Sequence, residues 1–367
     1  MNRILVTGGA GFIGANFLHY WKNNHPDDEL TVLDALTYAG NRASIENLIV
    51  RDLISFLHGD ICNETLVCDI LETREIDTII HFAAESHVDR SIHGPDPFIH
   101  TNIVGTHTLL KCARKRWLGN RKELASKHRF HHISTDEVYG SLSTEAKAFS
   151  ESTPYNPSSP YSASKAASDM LVRSYANTYG MNISISNCSN NYGPYHFPEK
   201  LIPLTIINIL EGRSIPVYGR GMNIRDWLYV DDHCRGIELI LNQGRPGETY
   251  NIGGACEKTN LEVVNLICNT IDGIFEDNPE LLKRFPATPA NHDRNSDTLI
   301  QFVKDRPGHD LRYAINAGKI SGELGFQTSE SFRSGLQKTI QWYLSHEDWW
   351  RSLMNNQYME WLARQYG

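Results

Sequence analysis

The sequence has 367 residues, of which 40% are hydrophobic and 21% are charged, proportions typical of a globular protein with an ordinary core. Its formal net charge of -8 disfavours nucleic acid and anionic membranes as partners. We expect no membrane span, because no stretch approaches the ~20 apolar residues that a span needs and glycines interrupt the first apolar run.

Cysteine and histidine spacing gives no sign of a metal or disulfide framework. The cysteine count is odd and no C-x-x-C pair occurs, so we expect neither a disulfide nor a zinc site. His131 and His132 also lack zinc-like spacing. From the cysteines we expect a reducing, cytoplasmic location. The cysteines are Cys62, Cys68, Cys112, Cys188, Cys234, Cys256 and Cys268.

Short β-rich runs alternate with helical stretches through the first part of the chain. This alternation indicates a parallel sheet covered by helices on both faces, and right-handed crossovers make such a sheet doubly wound. The expected fold is α/β, a Rossmann-like doubly wound parallel sheet with a smaller C-terminal substrate-binding lobe. The β-rich runs lie at 4–6, 30–34, 54–58, 78–82 and 130–134.

A glycine motif, Gly8-x-x-Gly11-x-x-Gly14, follows the first of these runs and opens a helix. Glycines let the backbone turn sharply and approach a pyrophosphate, which the helix N-terminus attracts. Asp34 ends the second run, where a carboxylate binds a ribose 2′-OH and repels a 2′-phosphate, so NAD is favoured over NADP. The alternative is a structural glycine turn with a surface aspartate. Asp60 fits an adenine contact and a helix cap equally well.

The composition changes near residue 190, after which proline and glycine become denser. We expect residues 1–190 to form the NAD-binding domain with the catalytic residues. Residues 191–367 should form mainly the second lobe, with some segments returning to the first domain. The polar segment 285–301 is expected to be a long loop.

Two further motifs carry acid–base chemistry. Tyr161 and Lys165 are four residues apart and share a helix face, where an ammonium group would lower the pKa of the phenol. Asp136 and Glu137 follow the fifth β-rich run, and adjacent carboxyl groups with different pKa values suit acid and base work. Their alternative role is to cap the next turn. Arg225 and Arg306 are candidates to grip a diphosphate, although a single arginine is usually a surface residue.

Together these residues resemble the extended short-chain dehydrogenase/reductase family and, within it, the dTDP-glucose 4,6-dehydratases. The resemblance covers essentially the whole chain. Its segments are TGGAGFIG at 7–14, LDALTYAGN at 33–41, HFAAESHVDRSI at 81–92, ISTDEVYG at 133–140, PYSASKAASD at 160–169, NCSNNYGPYHFPEKLIP at 187–203, IRDWLYVDDH at 224–233, YNIGG at 250–254 and DRPGHDLRYAI at 305–315.

The resemblance implies an NAD-dependent lyase that oxidises the glucose of dTDP-glucose at C4, removes water across C5–C6 and reduces C6. It assigns Tyr161, helped by Lys165 and Thr135, to the 4-hydroxyl proton. It assigns Glu137 to the C5 proton and Asp136 to the departing C6 hydroxyl.

The resemblance also implies two binding sites. The NAD site would comprise Tyr161 and Lys165 together with Gly8, Gly11, Phe12, Ile13, Gly14, Asp34, Ala35, Leu36, Thr37, Asp60, Ile61, Phe82, Ala83, Ala84, Glu85, Ser86, Thr101 and Asn191. The sugar-nucleotide site would comprise Ser86, Thr135, Asn190, Lys200, Leu201, Pro216, Val217, Tyr218, Arg225, Asn260, Asp305, Arg306, Pro307, Gly308 and His309.

A homodimer formed by the helices at 103–117 and 161–179 is implied as well. The apolar residues of these helices would equally suit an ordinary core; they are Val104, Leu109, Leu110, Met170 and Leu171.

Two other functions stay open. The first is another nucleotide-sugar 4,6-dehydratase or a 4-epimerase. Asp136 and Glu137 argue against the epimerase, and Asp34 argues against the NADP-using GDP-mannose enzymes. The second is a non-catalytic dinucleotide-binding regulatory module, which would have lost at least one of Tyr161, Lys165, Asp136 or Glu137.

Overall fold

The computed structural model describes residues 2–119 and 128–366. In order along this part of the chain, its strands are β1 (Arg3–Thr7), β2 (Glu29–Asp34), β3 (Ser55–His58), β4 (Thr78–His81), β5 (Arg129–Thr135), β6 (Ile183–Cys188), β7 (Asn190–Tyr192), β8 (Ile215–Tyr218), β9 (Ile224–Tyr229), β10 (Thr249–Ile252), β11 (Glu257–Thr259) and β12 (Ile300–Val303).

The α-helices alternate with these strands and then dominate the C-terminal part. They are α1 (Phe12–Asn24), α2 (Glu46–Val50), α3 (Glu64–Thr73), α4 (Val88–His93), α5 (Asp96–Phe98), α6 (Thr106–Leu118), α7 (Pro160–Tyr179), α8 (Leu201–Leu210), α9 (Val230–Gln243), α10 (Asn260–Asp277), α11 (Glu280–Arg284), α12 (Gly318–Leu324), α13 (Phe332–Ser345), α14 (Glu347–Leu353) and α15 (Asn356–Tyr366).

A large parallel sheet has the strand order β10-β6-β5-β4-β1-β2-β3 in the described part of the chain. The order reverses between β1 and β4, and a crevice opens at such a switch point beyond the carboxyl ends of the strands. Every strand of this sheet pairs in parallel with its neighbours. The predicted doubly wound α/β fold is confirmed.

Both faces of this sheet are buried, because successive side chains of a strand point to opposite faces. On β1, Ile4 and Val6 pack into one apolar cluster with α1, α9 and α12, while Leu5 packs into another with α3, α6 and α7. Continuous apolar strands such as 4–6 are typical of a sheet that helices cover twice. Because all strands of this sheet are parallel, their carboxyl ends lie at one edge.

A third apolar cluster lies among the elements that follow β6. It unites α8, α10, α13 and α14 with β8 and β9, and its largest fully buried side chains include Tyr343 and Trp350. In this region β7, β9 and β11 form one small sheet, and β8 pairs with β12. β10 belongs to the large sheet, although it follows β9 in the chain. The domain boundary at residue 190 stays a prediction.

Residues 285–299 form the long connection expected for 285–301, but it contains more local structure than its polar composition suggests, and residues 300 and 301 begin β12. It contains two 3₁₀ turns, Pro289–His292 and Ser296–Leu299, and leads into β12. The backbone N–H of Ser296 donates to Asp272 at 3.0 Å, and β12 pairs with β8. The composition did not predict this local structure, because these partners are distant in sequence.

The expectation of no disulfide was wrong. The structure pairs Cys68 on α3 with Cys112 on α6 as a disulfide, with their Cα atoms 5.3 Å apart. The pairing arises from the packing of α3 against α6, and a separation of 44 residues leaves no spacing motif. The cytoplasmic location stays a prediction. Among the helices of the described residues, the structure contains none with the length and apolarity of a membrane span.

Candidate active site

A cavity of about 440 Å³ opens at the carboxyl edge of the large sheet, between that edge and the second lobe. The loops after β1 to β6 form one wall, and residues of α8, β8 and β9 contribute to the other. The position is the one expected for a ligand site at the switch point of a doubly wound sheet.

The glycine motif forms the turn from β1 into α1 at one end of this cavity. Gly8 has a φ of +72°, and a Cβ there would lie 2.5 Å from the backbone N of Ala83. Gly11 is the N-cap of α1 and supplies no side-chain cap, so the N-terminus of the helix faces the cavity without a competing side chain. Backbone N–H groups at such a turn suit a pyrophosphate.

Asp34 closes the same end of the cavity. Its carboxylate accepts hydrogen bonds from the backbone N–H of Ala10 at 2.9 Å and of Leu36 at 2.8 Å. Burial raises the pKa of Asp34, while these two hydrogen bonds oppose that shift. A carboxylate has about four acceptor positions, so it retains capacity for a ribose hydroxyl. The turn and this carboxylate therefore fit a dinucleotide.

The remaining predicted cofactor residues lie on the cavity wall, with one exception. Leu36 does not line it, because its side chain packs against the apolar cluster under α1. Thr101 lies in a π-helix, Ile99–Gly105, a feature often found at functional sites. The predicted cofactor residues on the wall are Gly8, Gly11, Phe12, Ile13, Gly14, Asp34, Ala35, Thr37, Asp60, Ile61, Phe82, Ala83, Ala84, Glu85, Ser86, Thr101, Tyr161, Lys165 and Asn191.

Tyr161 and Lys165 project from the first turns of α7. Ser159 and Ser162 form a capping box at its N-terminus, which fixes where the helix starts. Asn102 of the π-helix donates to the Ser164 hydroxyl at 2.8 Å, and that hydroxyl donates to the Tyr161 carbonyl at 2.7 Å. These contacts hold the tyrosine and lysine at the cavity wall.

The expected lowering of the Tyr161 pKa is not found. Burial raises the pKa of Tyr161 well above its usual value, and the negative charge of Glu137 adds to this. The Lys165 ammonium donates instead to the Ile133 carbonyl at 2.7 Å. The four-residue spacing showed that Tyr161 and Lys165 share a helix face. It could not show that the lysine would donate to the Ile133 carbonyl.

Asp136 and Glu137 enter the cavity from a 3₁₀ turn, Asp136–Tyr139, that begins where β5 ends. Burial raises the pKa of Asp136 well above its usual value, and the charge of Glu137 raises it further. Burial also raises the pKa of Glu137, but Arg306, Lys200 and Arg225 oppose that shift. The two pKa values are thus split, so that Asp136 retains its proton while the cations favour ionised Glu137.

Thr135 connects these two groups. Its hydroxyl lies 3.4 Å from Asp136 Oδ1 and accepts from the backbone N–H of Glu137 at 3.3 Å. A hydrogen bond with Thr135 is also among the interactions that lower the pKa of Tyr161. Asp136 Oδ2 is buried without a hydrogen-bond partner among the described residues. That oxygen is available to a ligand in the cavity.

The predicted sugar-nucleotide residues gather at the other end of the cavity. The Lys200 ammonium donates to the Ser86 carbonyl at 3.3 Å, and the Arg225 guanidinium lies over the Tyr313 ring at 4.4 Å. Arg306 donates to Asp89 at 3.0 Å. The predicted substrate residues on the wall are Ser86, Thr135, Asn190, Lys200, Leu201, Pro216, Val217, Tyr218, Arg225, Asn260, Arg306 and His309.

Asp305, Pro307 and Gly308 do not line the cavity, although the sequence placed them with their neighbours. Asp305 contacts the site indirectly, since its Oδ1 lies 2.6 Å from His309 Nδ1 and so orients that ring. Only Arg306 and His309 of this turn point inward. The motif covered five consecutive residues, and consecutive residues of a turn cannot all face one side.

Sequence reasoning missed two acidic residues on the wall, Asp89 and Glu199. Asp89 pairs with Arg306, and Glu199 pairs with Arg90 at 3.0 Å. Both lie inside segments that carry the family resemblance, which was the available signal. Their partners lie at least 100 residues away, so no local pattern marks them.

Replacing Asp136 with Asn is expected to stabilise the fold at neutral pH. The folded chain keeps a proton on Asp136 that the unfolded chain, with a pKa of about 3.9, releases, so stability falls as pH rises towards the folded pKa. This loss, up to about 1.4 kcal/mol per pH unit, is absent in Asp136→Asn. The difference in free energy of unfolding between the two proteins should therefore grow with pH in denaturant titrations.

The control for this measurement is Asp232→Asn. Although burial opposes it, hydrogen bonds from Ser329 and Glu330 lower the pKa of Asp232, so its substitution should destabilise the fold at neutral pH. A difference between Asp136→Asn and the native chain that stays constant with pH would show that Asp136 is ionised in the folded protein.

Comparison with known proteins places this site in a family. The sequence matches the family described as GDP-mannose 4,6 dehydratase over residues 5–339. A dTDP-glucose 4,6-dehydratase of Escherichia coli is 50% identical over 364 residues, which cover 97% of both chains. The crystal structure of DesIV, a dTDP-glucose 4,6-dehydratase from Streptomyces venezuelae with NAD and TYD bound, has a TM-score of 0.83 and 44% identity and covers 96% of this chain and 99% of that chain.

A UDP-glucose 4-epimerase from Thermotoga maritima shares the fold alone. Its TM-score is 0.78 at 24% identity, and the match covers 94% of this chain and 99% of that chain. The extent and identity of the dehydratase matches show that the chain belongs to the dTDP-glucose 4,6-dehydratases of the extended short-chain dehydrogenase/reductase family.

Proposed function

We propose that this chain dehydrates dTDP-glucose to dTDP-4-keto-6-deoxy-glucose with NAD as cofactor. The observation that carries the proposal is the pair Asp136 and Glu137, which share one cavity with Tyr161 and have split pKa values. A reaction that removes a proton from one carbon and a hydroxide from the next requires one base and one acid side by side. The dehydratase relatives support the same substrate.

Residues of the glycine turn would hold the pyrophosphate of NAD, and Asp34 would accept a hydroxyl of its adenosine ribose. Phe82 to Ser86 and Thr101 would line the nicotinamide side. When bound, NAD supplies the acceptor and later the donor of a hydride. The positive nicotinamide ring also favours the ionised form of a nearby phenol.

Tyr161 is the base for the first step. Its phenolic oxygen, hydrogen-bonded with Thr135, would take the proton of the sugar 4-hydroxyl as that carbon is oxidised, because the positive nicotinamide opposes the rise in the Tyr161 pKa that burial causes. Lys165 keeps a positive charge behind this site, 2.7 Å from the Ile133 carbonyl. The resulting 4-ketone makes the neighbouring C5 hydrogen acidic, which a plain alcohol does not.

Glu137 and Asp136 then act together on the elimination. Glu137, whose negative charge Arg306, Lys200 and Arg225 favour, takes the C5 proton. Asp136, which burial keeps protonated, gives a proton to the C6 hydroxyl so that it departs as water. The same cations lie where the diphosphate of the substrate would bind.

Two alternatives are weaker. A 4-epimerase has no use for an acid and a base at adjacent positions, and the epimerase from Thermotoga maritima supports the fold only. A regulatory dinucleotide-binding module would not need Tyr161, Lys165, Asp136 and Glu137 on one cavity wall.

The proposal is tested by incubating the purified chain with dTDP-glucose and NAD and following the sugar nucleotide by mass spectrometry. We expect a product lighter by one water, ~18 Da, the group that acid–base elimination removes. Reduced cofactor should not accumulate, because the hydride returns to the sugar. If dTDP-glucose is unchanged, the same assay with UDP-, CDP- and GDP-sugars decides whether another nucleotide is the substrate.

Two variants separate the steps. Tyr161→Phe lacks the base for the 4-hydroxyl and should slow the first oxidation by about 10²–10⁴-fold while NAD still binds. Glu137→Gln keeps that base, so the 4-ketone and reduced cofactor should build up while water loss slows by a similar factor. Rapid-quench mass spectrometry and cofactor absorbance distinguish the two. A Glu137→Gln enzyme that fails to oxidise C4 would refute the assigned roles.

We also propose that two copies of the chain associate through the helical face at 103–117 and 161–179. Leu109 and Leu110 belong to the core, but Val104 is 42% exposed and Met170 is 49% exposed. Ile99, the first residue of the π-helix that leads into α6, is also exposed. Apolar side chains grouped on one helical face are typical of a subunit contact.

Met170→Lys places a charge in this face and should convert a dimer into a monomer, as measured by light scattering during gel filtration. Met222→Lys is the matched control, because Met222 is equally exposed but lies outside these helices. A native chain that is monomeric at micromolar concentration, or a dimer that survives Met170→Lys unchanged, would contradict the proposed interface.

A further inference from the structure

A polar cluster lies between α7 and β5, and two of its members, Ser134 and Lys165, also line the cavity. At its centre is Asp169, which follows Lys165 by one turn of α7 and has no solvent exposure. It does not line the cavity and is outside the proposed reaction. A fully buried carboxylate is costly unless it is paired or hydrogen-bonded, so its retention needs an explanation.

The contacts of Asp169 lead to Lys165. One carboxylate oxygen, Oδ2, accepts from the Ser134 hydroxyl at 2.9 Å and from the Tyr155 hydroxyl at 2.8 Å. The other oxygen, Oδ1, lies 3.3 Å from His132 Nε2. The same His132 nitrogen lies 3.5 Å from the Lys165 ammonium. One nitrogen of the imidazole ring, His132 Nε2, therefore contacts both the carboxylate and the lysine.

The imidazole cannot supply the charge that the lysine needs. Burial lowers the pKa of His132 well below its usual value, and the charge of Lys165 adds to this, so the ring is neutral. Ile133 offers Lys165 only an uncharged carbonyl. Asp169 is the negative group that faces this lysine from its own helix.

We propose that Asp169 is a positioning residue for the reaction, the buried counter-charge that keeps Lys165 an ammonium through the intervening ring of His132. This inference rests on the proposed function, in which a charged Lys165 supports proton removal by Tyr161.

The pKa directions agree with this geometry. Burial lowers the pKa of Lys165 to about 8, and Asp169 is the first interaction that opposes the fall. Burial raises the pKa of Asp169 to about 6, opposed by Lys165, Tyr155, Ser134 and Arg173. Both groups are therefore charged between these two values. Above about pH 8 the lysine loses its proton, so its positive charge no longer supports proton removal.

Other ionisable groups face this pair from every neighbouring element. Burial keeps the histidines, the tyrosines and the thiol among them neutral near neutral pH. The groups are His81 on β4, His132 on β5, Tyr139 in the turn after β5, Tyr155 before α7, Arg173 on α7 and Cys188 on β6.

The test is Asp169→Asn, whose amide oxygen can still accept from Ser134 and Tyr155. Losing the carboxylate should lower the pKa of Lys165 by about one unit, the low end for a nearby opposite charge. The basic limb of the kcat profile for the first oxidation then moves down by about one pH unit. At pH 8 this reduces kcat by about fivefold, while kcat at pH 6 and KM stay within about twofold of the native values.

Tyr155→Phe is the matched control. It removes one hydrogen bond to Asp169 but leaves the carboxylate, so the basic limb should stay where it is in the native enzyme. If Asp169→Asn is poorly folded, Asp169→Ser removes the same charge with a smaller side chain and should show the same shift. An unmoved basic limb in a folded, uncharged variant would overturn the proposal.

A second readout does not depend on turnover. NMR of the chain labelled with ¹³C at lysine Cε, with Lys165 assigned by its loss in Lys165→Met, reports the pKa of this lysine directly. The pKa should fall in Asp169→Asn and stay near the native value in Tyr155→Phe. If the native chain does not convert dTDP-glucose, the proposed function fails while this titration still decides the role of Asp169. An unchanged Lys165 pKa in Asp169→Asn refutes it.

Discussion

The burial of ionisable groups around the carboxyl end of β5 is the constraint on which the rest of the site depends. Asp136 and Glu137 are adjacent in the chain and both are enclosed, so ionising both would place two negative charges together in a region of low dielectric constant. The fold resolves this by giving them different surroundings. Asp136 keeps a proton, whereas cations from the second lobe favour the charge of Glu137.

This division of labour requires both parts of the chain. The turn after β5 supplies the carboxyl groups and α7 supplies the tyrosine, at the edge where the parallel strands of the large sheet end. The segments after β6 supply Lys200, Arg225 and Arg306, which line the same cavity although they are not part of the large sheet. Acidic residues pair with some of these cations, as Asp89 does with Arg306, and so fix their positions at one end of the cavity. The cations are thus gathered at one place in a chain whose net charge is negative.

Local pattern was sufficient for β1 to β5, the glycine turn and the acidic pair, because each is defined by a few consecutive residues, whereas β6 and β10 of the large sheet were not predicted. It failed where a distant partner decides the outcome. The Tyr161 pKa depends on burial and on Glu137, Cys68 meets Cys112 only after two helices pack, and the segment 285–301 takes its structure from β8 and Asp272. The motif at 305–309 predicted that all five residues line the cavity, but a turn presents only some of its side chains to one side. The three residues that do not line it are Asp305, Pro307 and Gly308.

The central claim is that one enclosed site removes a hydride from C4, expels water and returns the same hydride to C6. The most direct test uses dTDP-glucose with deuterium at C4 and locates the label in the product by NMR. The account predicts that deuterium appears at C6 of the same sugar, with C5 carrying hydrogen from solvent. Deuterium lost to solvent, or found on a second sugar molecule when labelled and unlabelled substrates are mixed, would contradict it.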